Sequence, residues 1–225
     1  MKIYTYYEDI NFNSQEELIN LWKFSWKKQG YEPIVLTKSD AEKHKYYEIF
    51  VSKLKKIHHQ ITGENLKPYG LSCYLRWLAY ASQEDETFYV SDYDVININY
   101  PIRKPINKIH FMDGSCPCFA SGTPLQFENL CKIFVNLSFN KKELIKKIFN
   151  SSEKLFSTHY HDQEFFYHSK NFLPKKLIFS DYRNFWFHPY LPNKDMEKYR
   201  VIHFCHNTCK TDKNRIELIK KYLNI

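Results

Sequence analysis

Asp92 and Asp94 stand two residues apart in Ser91-Asp92-Tyr93-Asp94, directly after Thr87-Phe88-Tyr89-Val90. That preceding run is apolar, aromatic and β-prone, which predicts a buried strand. In an extended segment residues i and i+2 point the same way, so both carboxylates are expected to face one site. Side by side they repel each other. A divalent cation relieves the repulsion and keeps positions open for phosphate oxygens, so the pair predicts a metal–diphosphate site. The thiols offer a second metal chemistry: Cys116-Pro117-Cys118 could be assembled with Cys205, His206 and Cys209 into a zinc site, although C-x-C differs from the usual C-x₂-C knuckle. Otherwise the six cysteines of a chain whose start, Met1 to Asp9, has no apolar secretory segment read as reduced thiols.

Composition limits how phosphate could be held. The 225 residues include only 5 glycines, Gly30, Gly63, Gly70, Gly114 and Gly122. Their spacing excludes both G-x-G-x-x-G and G-x-x-x-x-G-K, so cations, a metal or helix N-termini must do the work of a glycine-lined loop. Aromatic residues make up 18% of the chain, which excludes disorder as its main state. The formal net charge of +8 suggests an anionic partner, be it nucleotide, nucleic acid, acidic glycan or membrane surface, while abundant Lys, Asn and Ile equally fit an AT-rich genome. No apolar run approaches a membrane span, and a soluble cytoplasmic protein is expected.

The elements that must position these residues alternate. Lys2 to Tyr6 reads as a strand; Ser14 and Glu17 form an S-x-x-E box before a helix with Leu18, Leu21, Trp22 and Trp26 on one face, ended by Gly30. Ile34 to Thr37 is a second strand, and Ser39 with Glu42 opens a basic helix running toward His59. After Gly70 a helix from about Ser72 to Ser82 carries an apolar stripe with Arg76 off it, and the strand ending in Asp92 and Asp94 follows, with Val95 to Ile98 continuing extended. This β-α-β-α order predicts a mostly parallel sheet flanked by helices, with ligands at the carboxyl ends of the strands. Pro101 and Pro105 mark irregular chain, and Phe111 to Gly122 a loop or hairpin. Helices are expected at Leu125 to Leu137 and Lys141 to Phe149, strands at Lys176 to Phe179 and Val201 to Phe204, and a closing helix through Ile216, Ile219 and Leu223. No repeat or linker divides the chain: one domain is expected over 1–225.

The succession of a strand, Leu21-Trp22-Lys23-Phe24-Ser25-Trp26-Lys27-Lys28, Tyr31-Glu32-Pro33-Ile34-Val35-Leu36, Tyr74-Leu75-Arg76-Trp77-Leu78 and Phe88-Tyr89-Val90-Ser91-Asp92-Tyr93-Asp94-Val95 resembles the small GT-A-fold glycosyltransferases with a D-x-D motif, of the family 32 and capsular-polysaccharide type. The resemblance covers about the first hundred residues in recognisable order. Two positions depart from it: Ser72 and Cys73 stand where an Asp is common, and Gln83 to Thr87 replaces Gly-Gly-Ile-Tyr.

The resemblance implies a single GT-A domain with residues 1–100 binding a nucleotide-sugar and 101–225 forming the acceptor side and a late metal-ligand strand. It implies Asp94 as direct ligand of Mn²⁺ or Mg²⁺, Asp92 as partner of the metal or the ribose, and Arg76 as a group that orients the carboxylates or meets phosphate. His203, between apolar neighbours in Val201-Ile202-His203-Phe204, would complete the metal set, and Lys210 would meet the diphosphate. Asp162, in His161-Asp162-Gln163-Glu164, would be the catalytic carboxylate, either removing the acceptor proton or stabilising positive charge near the anomeric carbon; a helix N-cap is its alternative. Tyr4, Thr5 and Tyr6 fall where base and ribose are expected, and Phe119 to Gly122 where a floor beneath the sugar is expected.

The reading is transfer of a sugar from a nucleotide-diphosphate donor, UDP-linked before GDP-linked, to a hydroxyl of a glycan or glycoconjugate. A sugar-phosphate nucleotidyltransferase would need glycines after the first strand, and Tyr6 to Ser14 has none. A basic nucleic-acid-binding module would leave the paired carboxylates without a purpose, since they repel phosphate unless metallated.

Overall fold

The computed structural model describes residues 1–10, 15–112, 116–140, 162–169, 178–179, 185–187, 199–205, 209 and 211–225. In chain order the elements are β1 (Lys2–Tyr6), α1 (Glu16–Lys28), β2 (Glu32–Leu36), α2 (Lys38–Glu42), α3 (Tyr47–Thr62), α4 (Pro68–Ala81), β3 (Phe88–Ser91), β4 (Val95–Asn97), β5 (His110–Phe111), β6 (Phe119–Gly122), α5 (Pro124–Asn140), α6 (Asp162–Ser169), β7 (Ile178–Phe179), β8 (Phe185–Phe187), β9 (Val201–His203) and α7 (Asp212–Leu223). The main sheet has the order β2-β1-β3-β6-β5-β7 and a smaller one β4-β9-β8. β1 runs parallel to β2 and β3, and β5 to β7, whereas β6 is antiparallel to β3 and β5.

The period of two along each strand divides the interior between the two faces of the main sheet. Tyr4, Phe88, Val90 and Ala120 point to one side, where they meet Phe50, Leu54 and Ile57 of α3, Trp77 and Leu78 of α4, and Phe127, Leu130 and Phe134 of α5. Ile3, Tyr89 and Phe119 point to the other, against Leu18, Leu21, Trp22 and Trp26 of α1, Val95 and Ile202 of the small sheet, and Ile219 and Leu223 of α7. A mixed sheet covered on both faces explains why these strands are mostly apolar rather than alternating.

Local signals account for the boundaries. Gly30 takes φ +83° after α1, a left-handed turn that glycine adopts without strain. α4 starts at Pro68 rather than near Ser72, because proline at the first helical position lacks only an N–H that would have no helical partner there. The basic helix expected to run to His59 is two helices, α2 and α3, and Asp40, not Glu42, reaches back to the N-cap, accepting from the Thr37 amide at 2.8 Å. Strand β8 had no sequence signal that was recognised. The Ser14 cap and the helix expected over Lys141 to Phe149 lie outside the described residues.

One contact set places the carboxylates. Trp22 and Trp26 are four apart, hence on one face of α1 and about 6 Å apart along it. The Trp22 indole N–H donates to Ser91 Oγ at 2.9 Å, and the Trp26 N–H to the Val95 carbonyl at 3.0 Å. Ser91 and Val95 flank Asp92-Tyr93-Asp94, so one buried helix face grips both ends of the segment. Ser25, between the tryptophans, accepts from the Asn97 amide at 3.2 Å and extends the grip along β4. Trp22→Phe keeps an aromatic ring, though a smaller one, and leaves the Ser91 hydroxyl without its donor. It is expected to cost about 1–3 kcal/mol in urea unfolding, and a loss under about 0.5 kcal/mol would show that the clamp contributes little.

Candidate active site

Asp92 and Asp94 converge by a turn, not by the pleat of a continuing strand. The Val95 amide donates to the Asp92 carbonyl at 3.0 Å, closing a four-residue turn between β3 and β4, and the chain passes from the large sheet to the small one. The expectation of one extended segment is corrected by this step: β4 pairs with β9, which no register with β1 or β6 would allow. Backbone ladders anchor both ends of the turn. The Asp92 amide donates to the Cys118 carbonyl at 2.8 Å, extending the β3–β6 pairing, and the Phe204 amide donates to the Asp94 carbonyl at 2.8 Å, extending β4–β9.

The same β4–β9 register sets His203 opposite Val95, one residue beyond Asp94. Its Nε2 lies 3.2 Å from Asp94 Oδ1. A ligand atom from each of Asp92, Asp94 and His203 lies within 4.8 Å of the others. The three residues expected to hold a metal are therefore together, although they come from two sheets and are separated by more than a hundred positions. Two carboxylates and an imidazole are donors suited to Mn²⁺ and, through the oxygens, to Mg²⁺.

Arginines neutralise each carboxylate. Arg76 on α4 donates through Nη1 to Asp92, and through Nε and Nη2 to Asp162 Oδ2 at 2.9 and 2.6 Å. Trp77 Nε1 donates to the same Asp162 oxygen at 2.6 Å. Asp162, the first residue of α6, is 1% exposed. It joins the site through Arg76, which is an ion-pair centre and not a surface side chain. Arg215 on α7 is the partner of Asp94, with Nη1 3.2 Å from Oδ2, and its Nη2 donates to Gln15 at 2.9 Å.

These neighbours split the titration of the two acids. Burial pushes the Asp92 carboxyl up to about 7; Arg76 draws it back down, and the Asp94 charge adds to the rise. Burial works against ionisation of Asp94 too, but His203 and Arg215 hold it below the usual carboxylate range. His203 is lifted well above the ordinary imidazole value by Asp94 and Cys116, against the burial that opposes its charge. Near neutral pH Asp92 is thus only partly ionised and His203 is protonated, and a metal would displace those protons.

The remaining expected residues fall in three groups. Tyr6 ends β1 level with the end of β3 and donates to Glu8 at 3.0 Å, and Thr5 precedes it, fully buried. Tyr4 is corrected from a donor-binding residue to a core one: its ring packs on Phe88 at 4.9 Å and its hydroxyl bonds Asp85, which precedes β3 and so lies at the end of the sheet opposite Asp92. Phe119 to Gly122 is β6, buried along its length, so it supports the site from the core and is not an open floor. Lys210 and His206 lie outside the described residues. Of the zinc ligands considered, Cys116 and Cys118 group with His203 among the described residues. Arg215 was missed. Its signal was a charge on the apolar stripe of α7, four residues before Ile219, and it is 4% exposed.

No protein-family model and no curated protein sequence matches the chain. Solved structures match its fold. The apo-form glycosyltransferase GlyE of Streptococcus pneumoniae TIGR4 superposes on 99% of this chain, over 60% of its own length, with a TM-score of 0.54 at 10% identity. The galactosyltransferase LgtC, in complex with donor and acceptor sugar analogues, superposes on all of this chain and 95% of its own, with a TM-score of 0.51 at 9% identity. The chain has a GT-A-type glycosyltransferase fold. The mixed α/β layering expected from the sequence is the one observed; the chemistry is argued from this chain's own residues.

Arg76 joins two acids of which Asp162 is almost wholly enclosed. Arg76→Met strands that charge, and is expected to cost about 3–5 kcal/mol. Arg76→Met combined with Asp162→Leu should recover a good part of the loss. A double-mutant cycle by chemical denaturation checks this, and strict additivity of the two substitutions would contradict a coupled pair.

Proposed function

We propose that this protein is a metal-dependent glycosyltransferase, moving a sugar from a nucleotide-diphosphate donor, UDP-linked in the first instance, to a hydroxyl of a glycan or glycoconjugate. The observation that carries the reading is the convergence of Asp92, Asp94 and His203 at the carboxyl end of β3, where an α/β sheet places its ligands. Fold likeness to glycosyltransferases supports it.

Mn²⁺ or Mg²⁺ fits the residues present, because the hard oxygens of Asp92 and Asp94 and one imidazole converge within reach of a single ion. Asp94 and His203 would hold it directly and Asp92 would share it or meet the ribose. When bound, the ion would supply Lewis acidity toward the leaving diphosphate. Arg76 lies against Asp92 and, with Lys210, is the source of further positive charge for phosphate oxygens. Of the two remaining residues expected at the base and ribose, Tyr6 at the end of β1 is the one retained in this reading, since Thr5 is fully enclosed.

For Asp162 the sequence left two roles, proton acceptor or stabiliser of positive charge. Its Oδ2 already accepts from Arg76 Nε and Nη2 and from Trp77, and hydrogen bonds to the charged form weaken a carboxylate as a base. The role supported by this arrangement is electrostatic: a fixed negative charge, oriented by Arg76, near the anomeric carbon as it gains positive character. The acceptor would then be deprotonated by another group.

A thermal-shift panel of UDP-, GDP- and CMP-linked sugars, with and without Mn²⁺, tests the function. A bound donor at 100 times its dissociation constant adds about 2.7 kcal/mol, and the shift is expected for one nucleotide class and only with metal. Equal stabilisation with and without metal, or none from any nucleotide, would contradict the reading. Tight nucleic-acid binding that falls steeply with salt and ignores Mn²⁺ would favour the basic-module alternative instead.

A further inference from the structure

We propose that Cys116, Cys118 and His203 form a second, soft-metal site that takes zinc and, when filled, withdraws His203 from the carboxylates. The two sulfurs and a ring nitrogen of His203 lie within 4.8 Å of one another, and all three residues are buried. Zinc binds sulfur at about 2.3 Å and imidazole nitrogen at about 2.0–2.1 Å, so two ligands of one tetrahedral ion stand roughly 3.5–3.8 Å apart. Side-chain adjustments of about an ångström bring the set into that range.

The backbone is already arranged for it. The Cys118 carbonyl is tied to the Asp92 amide at 2.8 Å, which fixes the thiol turn against the end of β3, and the β4–β9 ladder fixes His203. The thiol set and the carboxylate set share one imidazole, that of His203. Neither sulfur is occupied in a disulfide.

Donor hardness separates the two sets. Thiolates favour zinc over Mn²⁺ and Mg²⁺, whereas carboxylates with one imidazole suit the harder ions. Zinc entry displaces the two thiol protons to solvent, along with any proton on the ligating nitrogen of His203. Two thiolates cancel the charge of the ion, so the interior need not accommodate a net cation. The site itself stands on these residues alone. Its consequence, that zinc competes with the catalytic metal, rests on the glycosyltransferase reading.

Cobalt(II) is the probe for the site and Mn²⁺ the probe for the consequence. Under reducing conditions Co²⁺ titrated into the whole protein should give a thiolate-to-cobalt charge-transfer band. The band should persist in Asp94→Asn and disappear in Cys116→Ser/Cys118→Ser, with zinc affinity in the double variant falling by more than the ~100-fold that loss of an outer-shell partner costs. Absence of the band, or its survival without both cysteines, overturns the site. Zinc should displace bound Mn²⁺ from the wild type; simultaneous binding of both overturns the competition. If Mn²⁺ fails to bind at all, the function is in error, while the cobalt spectrum still decides the thiol site.

Discussion

Two carboxylates held two residues apart and largely shielded from water repel each other, and the fold around Asp92 and Asp94 is organised by the need to offset that repulsion. Each acid has its own arginine, and they come from opposite faces of the main sheet: Arg76 from α4 for Asp92, Arg215 from α7 for Asp94. His203 adds a third cationic group on the Asp94 side. The result is asymmetric. Asp94, with two partners, stays ionised, while Asp92 is pushed up to about 7 chiefly by burial. A divalent ion completes such an arrangement, since it can replace the protons on Asp92 and His203 without moving the arginines.

The repulsion could also be relieved by letting the turn splay, and the structure prevents this through backbone and indole contacts. Trp22 and Trp26 hold the residues before and after the turn from one helix face, and the chain crosses between sheets within it. Opening the turn would break the ladders to Cys118 and Phe204 as well. The tryptophans are fully buried, so their N–H groups have no water to turn to and the hydrogen bonds are obligatory. Placement of the acids is thus a packing property of α1.

Most of the layering was legible in the sequence because it rests on period-two and helical apolar patterns: β1, β3, α1, α5, β9 and α7 appear at or within a few residues of where they were expected. The site was legible where a residue type and a strand end coincide, as for Asp92, Asp94 and His203. It was not legible where the decisive contact joins distant elements. Arg215 reads as one basic residue among many in a chain of net charge +8, and only the packing of α7 on α1 shows its partner. Tyr4 illustrates the converse error: proximity to a strand's end in sequence says nothing of which face, or which end, its hydroxyl reaches. The turn at Asp92–Val95 escaped for a similar reason, since a run of β-prone residues looks the same whether it continues in one sheet or changes to another.

Among these claims the shared ligation by Asp92, Asp94 and His203 is the one on which the function depends. Binding of Mn²⁺ followed by the loss of its free-ion paramagnetic resonance signal tests it without any knowledge of donor or acceptor. The account predicts one such site in the wild-type chain that tightens as pH rises through about 7, where Asp92 loses its proton, and further at higher pH as His203 gives up its own, and that is lost in Asp94→Asn. Binding that is absent, that ignores pH, or that survives intact in Asp94→Asn would contradict it.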